Sequence, residues 1–298
     1  MAGVTLSSGA GLTTGAVSGV GAVSATAVGN LTMVSAASSG DNVDILSTAG
    51  SVTMTSANAK GALTLKSRTS SLDASTVVAQ SAVLTSAGDM SLGKSATTTD
   101  DFTANAGGNA NLARITSSAG GVKVDSARTL VVGNVTSSKG VDLSANTGLT
   151  AGALSAGTLV DVDTVSGLLA LTSATSRTLM DIQSGGDVTA GTLNALGSGA
   201  QIQAGGRMTL KTLNAVDDIA LSAGGAMALS TVASSAGALT VRATDMISLT
   251  TGRALLDVLV SGVNGLTSTT LSSTNGGVTV QASSGGVTIN TATAKTSF

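Results

Sequence analysis

Apolar and polar residues alternate along nearly the whole chain with a period of two. Stretches such as Ile219–Ala223 and Met227–Ser230 place apolar side chains at every second position, and Gly, Asn, Asp or Ser residues separate one stretch from the next. This period is typical of β-strands with one buried face, whereas an amphipathic helix repeats every 3.6 residues. The pattern predicts short strands joined by tight turns.

The alternating stretches recur at a fixed spacing. A central apolar residue, the anchor, is usually followed six positions later by a second core-type residue, as Val162 is followed by Leu168. Thirteen of the fourteen steps between anchors measure 19 or 20 residues, and the step from Ala25 to Leu46 measures 21. The anchors are Leu6, Ala25, Leu46, Leu65, Leu84, Ala104, Val124, Leu143, Val162, Ile182, Ile202, Leu221, Val241, Val260 and Val280.

A repeat of this length with strand periodicity predicts an all-β solenoid. Helical repeats need about 33 residues or more, and the Leu and Asn ladder of leucine-rich repeats is missing. We therefore predict a parallel β-helix of about 15 coils of 19–20 residues, each with about three short strands. The absence of Pro agrees, because Pro would remove a hydrogen bond from an inner strand.

The prediction for domain organisation is one β-helical repeat domain, residues 1–298, without distinct caps. Uncapped parallel edges recruit further strands. We therefore expect the partners of the terminal coils to be other β-helical coils, either covalently continuous or stacked end to end from other copies.

Composition makes the predicted core narrow. Aromatic residues are 1% of the chain, Phe102 and Phe298, whereas hydrophobic residues are 42%. A chain this apolar is expected to fold, but without large aromatic side chains its core must be thin enough for small residues on facing strands to touch.

The charge pattern excludes several partners. Sixteen acidic residues, all Asp, nearly cancel fourteen Lys and Arg, and no basic cluster is present. This argues against nucleic acid and anionic membranes as partners. The first 40 residues carry no charged side chain, but Ser, Thr and Gly interrupt every apolar run, so no membrane insertion is predicted.

Two blocks carry a resemblance to a known family. IALSAGGAMALSTVASSAG (Ile219–Gly237) and AQIQAGGRMTLKTLNAVDD (Ala200–Asp218) resemble the haemagglutinin-type repeats of filamentous haemagglutinin and related bacterial exoproteins. The shared pattern is an apolar residue, Ala or Ser two positions on, Gly two further on, and then alternating apolar positions. The resemblance extends over essentially the whole chain.

The resemblance implies a right-handed β-helical shaft of a two-partner-secretion protein. Such a shaft is exported through an outer-membrane partner and is found secreted or on the cell surface of a Gram-negative bacterium. This chain departs from the family in lacking the Pro of the family's amino-terminal Asn-Pro motifs, and in continuing its repeat to about Thr293, where contact-dependent inhibition proteins carry a toxin domain. It therefore resembles an interior shaft segment.

Candidate chemistry is sparse. With no His or Cys, the usual general base and thiolate nucleophile are missing, so we predict no enzymatic activity and no cofactor. The candidates for a metal site are Asp142, Asp161, Asp163 and Asp181, of which three share one column of adjacent coils. They are interpreted either as a low-affinity surface Ca²⁺ site or as solvated aspartates beside Lys123.

Two polar columns have a structural interpretation. A flat Thr ladder would suggest ice binding, but the outward column reads Thr150, Leu169, Thr189, Thr209, Ala228, Ser248 and Thr267, which is broken, so β-propensity explains its Thr content. Asn194 and Asn214 are one coil apart and are expected to stack their amides inside the solenoid or at a turn.

These observations predict a structural rod or stalk of a secreted bacterial adhesin or extracellular filament, which gives reach and rigidity in cell adhesion or a biofilm matrix. Two alternatives stay open. One is a self-assembling matrix or filament subunit, and the other is a surface module that binds ions or glycans.

Overall fold

The computed structural model describes residues 2–295, and all regular secondary structure in that range is β-strand. Accordingly, residues 2–295 contain no helix that could cross a membrane. The chain divides into two compact units, Met1–Asn146 (unit 1) and Thr147–Phe298 (unit 2). In each unit a short strand of five or six residues alternates with a long strand of seven to nine residues.

Unit 1 contains eight short and seven long strands, and each set forms its own parallel sheet in chain order. The short strands are β1 (Val4–Ser8), β3 (Val23–Ala27), β5 (Val43–Ser47), β7 (Ala62–Ser67), β9 (Ser81–Ser86), β11 (Phe102–Ala106), β13 (Val122–Ser126) and β15 (Val141–Ala145). The long strands are β2 (Leu12–Gly19), β4 (Leu31–Ser38), β6 (Val52–Ala59), β8 (Leu72–Ala79), β10 (Met90–Thr98), β12 (Ala110–Ser117) and β14 (Thr129–Ser137).

Unit 2 repeats this arrangement with seven short and eight long strands. The short strands are β17 (Val160–Thr164), β19 (Met180–Ser184), β21 (Ala200–Ala204), β23 (Ile219–Ala223), β25 (Leu239–Ala243), β27 (Val258–Gly262) and β29 (Val278–Ala282). The long strands are β16 (Gly148–Ala156), β18 (Leu169–Ser176), β20 (Val188–Ala195), β22 (Met208–Ala215), β24 (Met227–Ser234), β26 (Ile247–Ala254), β28 (Leu266–Ser273) and β30 (Val287–Thr293).

The predicted fold class is confirmed: the chain is all-β and forms a parallel β-helix. The register within each unit advances by 19 or 20 residues per coil, as from Val4 to Val23 and from Val23 to Val43. The fifteen short strands match the fifteen predicted coils. The handedness of the coil and the single domain over residues 1–298 stay predictions.

The strand count per coil differs from the prediction. Each coil has two hydrogen-bonded strands instead of three, because the long strand covers two inward-facing segments. In β6 the first and third residues are buried, then two successive residues point outward, and the sixth and eighth residues are buried. The two successive outward residues shift the phase of the alternation without interrupting the strand pairing. Two predicted strands are therefore fused into one.

Fourteen of the fifteen anchors occupy the central inward position of a short strand, and the anchor at Leu46 is wrong. Ile45 pairs with Ala25 and Leu65 and is fully buried, whereas Leu46 lies on the outward face. With Ile45 in the column, the irregular step of 21 residues disappears. Leu168 is also wrong as a core residue, since its side chain is 50% exposed and the adjacent Leu169 is buried.

The core of unit 1 admits one large side chain by surrounding it with small ones. Phe102 is buried at the start of β11, where its register partner in the preceding coil is Ala82. The next inward residue is Ala104, and the long strand that follows begins with the buried Ala110. Alanines thus give the ring its space in a core otherwise built from Val, Leu and Ile. Phe298 lies outside the described residues.

Candidate functional site

The boundary between successive coils is the feature that recurs through both units. At the start of the strands, backbone N–H groups donate to turn carbonyls of the next coil, as Val23 N does to Asn42 O at 3.0 Å and Leu31 N to Ser51 O at 2.8 Å. The same bonds recur from coil to coil, so each boundary is held by two parallel ladders and by the turns between them.

Buried serines at the strand ends add a side-chain bridge across these boundaries. Ser47, the last residue of β5, is fully buried, and its hydroxyl donates to Gly29 O of the preceding coil at 2.8 Å. The same oxygen accepts the N–H of Gly50 at 2.9 Å within its own turn. One coil further on, Ser67 donates to Gly50 O at 2.8 Å, so the bridges form a continuous relay through three turns.

The second set of corners, at the ends of the long strands, uses the same device. In unit 2, Ser234 Oγ donates to Asp217 O at 2.7 Å and accepts the N–H of Gly237 at 2.9 Å. The final residues of all described strands, short and long, are Ala, Ser, Thr or Gly. A buried hydroxyl is stable in this core because it satisfies both its donor and its acceptor capacity.

Close stacking explains the glycine in these turns. A Cβ built on Gly50 would overlap the backbone of Gly29 and Asn30 in the preceding coil. Any larger residue would push two turns apart and stretch the serine bridges around them.

Acidic and amide residues directly before strands form a second kind of bridge. Asp218 precedes β23, and its Oδ1 accepts the N–H of Ala238 in the next coil at 2.8 Å. Asn42 precedes β5 and accepts the N–H of Ala62 in the same way at 2.8 Å. Four further aspartates in this position bond the next coil at 2.7 Å: Asp89, Asp101, Asp187 and Asp257. Much of the acidic content therefore joins coils instead of binding a ligand.

One buried serine has no such bridge, which gives a prediction of opposite signs. Ser268, 2% exposed in β28, is the only described buried side chain with an unpartnered polar atom. Ser268→Ala is expected to stabilise the protein by about 1 kcal/mol, because an unpaired buried hydroxyl is removed, whereas Ser234→Ala is expected to cost about 1–2 kcal/mol. Denaturant unfolding of both variants measures this. Equal changes in the two variants would contradict the assignment.

The candidate metal residues are divided between the units. Asp142 lies on β15 of unit 1, whereas Asp161, Asp163 and Asp181 lie on β17 and β19 of unit 2. Asp161 and Asp181 are register partners, and Gln183 Nε2 donates to Asp181 at 3.3 Å. Within residues 2–295 no three acidic side chains are gathered so that they could hold a metal ion. The geometry of these carboxylates therefore gives the calcium interpretation no support.

Lys123 lies beside Asp142, as the alternative interpretation expects. Lys123 Nζ is 2.6 Å from Asp142 Oδ2 and 3.5 Å from Asp125 Oδ1. The hydrogen bond to Asp142 raises the pKa of Lys123 above 10.5, although desolvation opposes it. Its stabilising contribution is thus present below pH 10.5 and is lost as the pH rises through the raised value. Since the Lys123 side chain is 50% exposed, solvent screening keeps this contribution small.

The outward Thr column differs from the prediction. Leu169 is a core residue, and Ala170 takes the outward position beside Thr189. A different column, the second of the two successive outward residues in each long strand, is unbroken over six coils of unit 2. It consists of Thr192, Thr212, Thr231, Thr251, Thr270 and Thr291. Stacked Thr pairs stabilise neighbouring strands, so this column also strengthens the coil boundary.

Asn194 and Asn214 stack as expected, but in a different place. Asn214 Nδ2 donates to Asn194 Oδ1 at 3.0 Å. Both side chains point outward from long strands instead of lying inside the solenoid or at a turn.

The described surface has open grooves between turns. A groove of about 560 Å³ in unit 2 runs between Leu179 and Leu256 and includes Asp217 and Asp218. Asp218 already accepts a backbone N–H, and the carbonyl of Asp217 accepts the hydroxyl of Ser234. The acidic residues of this groove are therefore committed to coil stacking.

No family model, curated protein or solved structure matches the chain.

Sequence reasoning missed the serine and aspartate bridges. A signal for both was present: Ser recurs at the strand ends, and Asp or Asn recurs directly before the first buried residue of a strand, as in Asn30, Asp89 and Asp187. The signal reads as ordinary turn composition until the coils are stacked, because the bonded partner is about 17–21 residues away in sequence.

Proposed function

We propose that this chain is a structural shaft, a rigid spacer in a secreted bacterial adhesin or extracellular filament. The observation that carries the proposal is the repetition of one coil boundary through each unit, held by both sheets and by side-chain bridges such as Ser47 to Gly29 and Asp218 to Ala238. The sequence resemblance to haemagglutinin-type repeats supports a secreted or cell-surface location in a Gram-negative bacterium and export through an outer-membrane partner.

Rigidity follows from the direction of the bonds. Backbone hydrogen bonds join each coil to the next, so a load along the stacking direction is shared by all bonds of a boundary at once. The buried serine and aspartate bridges lie at the turns, where an isolated ladder would fray first. A shaft with these properties holds other parts of a larger assembly at a fixed distance.

The surface chemistry supports a role without catalysis. The chain has no His or Cys, and the aspartates of the largest groove in unit 2 hold the turns together. The proposed function therefore assigns the outward faces no substrate.

A distance measurement tests the spacer. Because the chain has no Cys, Thr13→Cys and Thr267→Cys can carry the only two spin labels for pulsed electron–electron double resonance. At about 4.8 Å per coil, a rigid spacer predicts a narrow distance distribution centred near about 60 Å. A broad distribution, or one centred far below this value, would refute the spacer.

Pairs within one unit provide the control. Thr13 and Val131 are six coils apart in register, which predicts about 29 Å between their backbones. Ala170 and Thr267 are five coils apart, which predicts about 24 Å. If these pairs give narrow distributions while the long pair does not, the solenoid units are intact and only the rigid-spacer function fails.

A further inference from the structure

The first and last described coils expose apolar side chains that the other coils bury. In the last coil, Val287 is 47% exposed, whereas Leu266 in the same column is 1% exposed. Val278 and Val280 are partly exposed, although their column partners Val258 and Val260 are buried. In the first coil, Leu6 and Leu12 are likewise partly exposed. Each of these coils therefore presents one uncovered apolar side.

These two sides also lack the usual protection of sheet edges. Natural edge strands are commonly blocked by Lys, Pro or inward-pointing charges. Strands β1–β4 and β27–β30 contain no charged residue, and the chain contains no Pro. Of the eleven coils between them, all except the one formed by β23 and β24 carry at least one charged residue in their strands. The edges thus leave strand addition open.

We propose that a second copy of this chain stacks head to tail on these edges, with β29 and β30 of one copy pairing in parallel with β1 and β2 of the next. This inference rests on the proposed shaft function and names the partner of its uncovered coils. Continuing the observed register would place Val278 opposite Val4, Val280 opposite Leu6 and Val287 opposite Leu12.

The proposed contact is a continuation of an interface that the structure already contains. Within each unit, the apolar columns and ladder bonds of one coil are matched by those of the next, as Val258 and Val260 are by Val278 and Val280. Val258 N donates to Gly277 O of the next coil at 2.9 Å. Val278 holds the same strand position, so its N–H faces the uncovered side and would donate to a turn carbonyl of the second copy.

The two contacting surfaces are different, so the contact is heterologous. A head-to-tail contact that does not close into a ring continues as an open filament. The expected product is therefore a filament one solenoid wide that lengthens with protein concentration.

Inward-pointing charges on the uncovered coils test the contact. Val280→Lys places an ammonium group in the proposed interface, but leaves it in solvent in the single chain, and Leu6→Lys does the same at the other edge. By light scattering, the wild-type chain is expected to show a mass that rises several-fold with concentration, whereas each variant stays monomeric. Thr279→Lys and Thr5→Lys are the matched controls, since they add the same charge on outward positions of the same strands and should assemble like wild type.

Mixing the two variants gives the decisive measurement. Val280→Lys keeps an intact β1 and β2 edge, and Leu6→Lys keeps an intact β29 and β30 edge, so the mixture is expected to form dimers and nothing larger. Circular dichroism melting of each variant checks that the solenoid is retained. A monomeric wild type, a mixture that stays monomeric, or assembly unaffected by both lysines would overturn the proposal.

This outcome is separable from that of the shaft itself. If spin-label distances show a rigid spacer but the wild type stays monomeric, the shaft stands and the uncovered coils take another partner. If the distances show no rigid spacer, the shaft fails whatever the scattering shows.

Discussion

Replacing Phe102 with alanine is expected to lower the free energy of unfolding of unit 1 by about 3–5 kcal/mol, the usual range for a buried Phe. Phe102 is 1% exposed, and its inward neighbours Ala82, Ala104 and Ala110 are too small to fill the space it would leave. Because the backbone is held by ladders on both sides, the coil cannot collapse onto the cavity. Denaturant unfolding, with hydrogen exchange of β11 to locate the effect, measures the loss.

A double-mutant cycle separates the packing of the ring from a general sensitivity of the coil. Ala104→Leu alone should cost about 1–3 kcal/mol, because the added side chain competes with the ring for the same space. In a Phe102→Val background, Ala104→Leu should instead recover stability, since the pair then matches Val141 and Leu143 in β15. The two changes should couple by about 0.5–3 kcal/mol. A neutral Ala104→Leu in the wild type would contradict this account.

The second large effect concerns the length of the repeat. Deleting residues 219–238 removes β23, β24 and their turns, which together make one complete coil. Leu239 then follows Asp218 as Ile219 did, and β25 can stack on β21 with every inward column in place. The shortened chain is expected to keep a cooperative unfolding transition, because a solenoid is stabilised by contacts between neighbouring coils.

A deletion of half that length is expected to disrupt unit 2. Removing residues 219–228 takes out β23 and the first turn but leaves most of β24, so no column continues across the junction. The remaining coils from β25 to β30 then lose the boundary that covers them, and three coils are marginal alone. A loss of about 3 kcal/mol of local stability would make amide exchange in β25–β30 roughly a hundredfold faster. Equal protection in the two deletion variants would contradict coil-by-coil stacking.

The interpretation of the sequence failed where two neighbouring residues were both acceptable by pattern. Ile45 and Leu46 are both apolar, and so are Leu168 and Leu169, and in each pair only one points inward. A shift of one residue exchanges the two faces of a strand, so local alternation cannot decide between them when the neighbours are similar. The choice is made by the coils above and below, whose columns accept only one register.

The candidate site was less predictable than the fold. A cluster of aspartates suggested either calcium or solvent, but the structure assigns aspartates such as Asp187 and Asp218 to backbone N–H groups of the next coil. The Ser47 bridge was hidden in the same way. Hydrogen bonds of this kind join residues about 20 positions apart, and their geometry depends on the exact approach of two turns, which composition does not report.

The sequence by itself determined the fold class, the coil length of 19–20 residues and most of the inward columns, because alternation and period follow directly from which side chains must leave water. Only the tertiary structure decided that two of the three predicted strands merge into one, that alanines such as Ala82 and Ala104 make room for Phe102, and that serines and aspartates join the turns. Those features depend on how one coil is packed against the next, and they exist only after the coils have stacked.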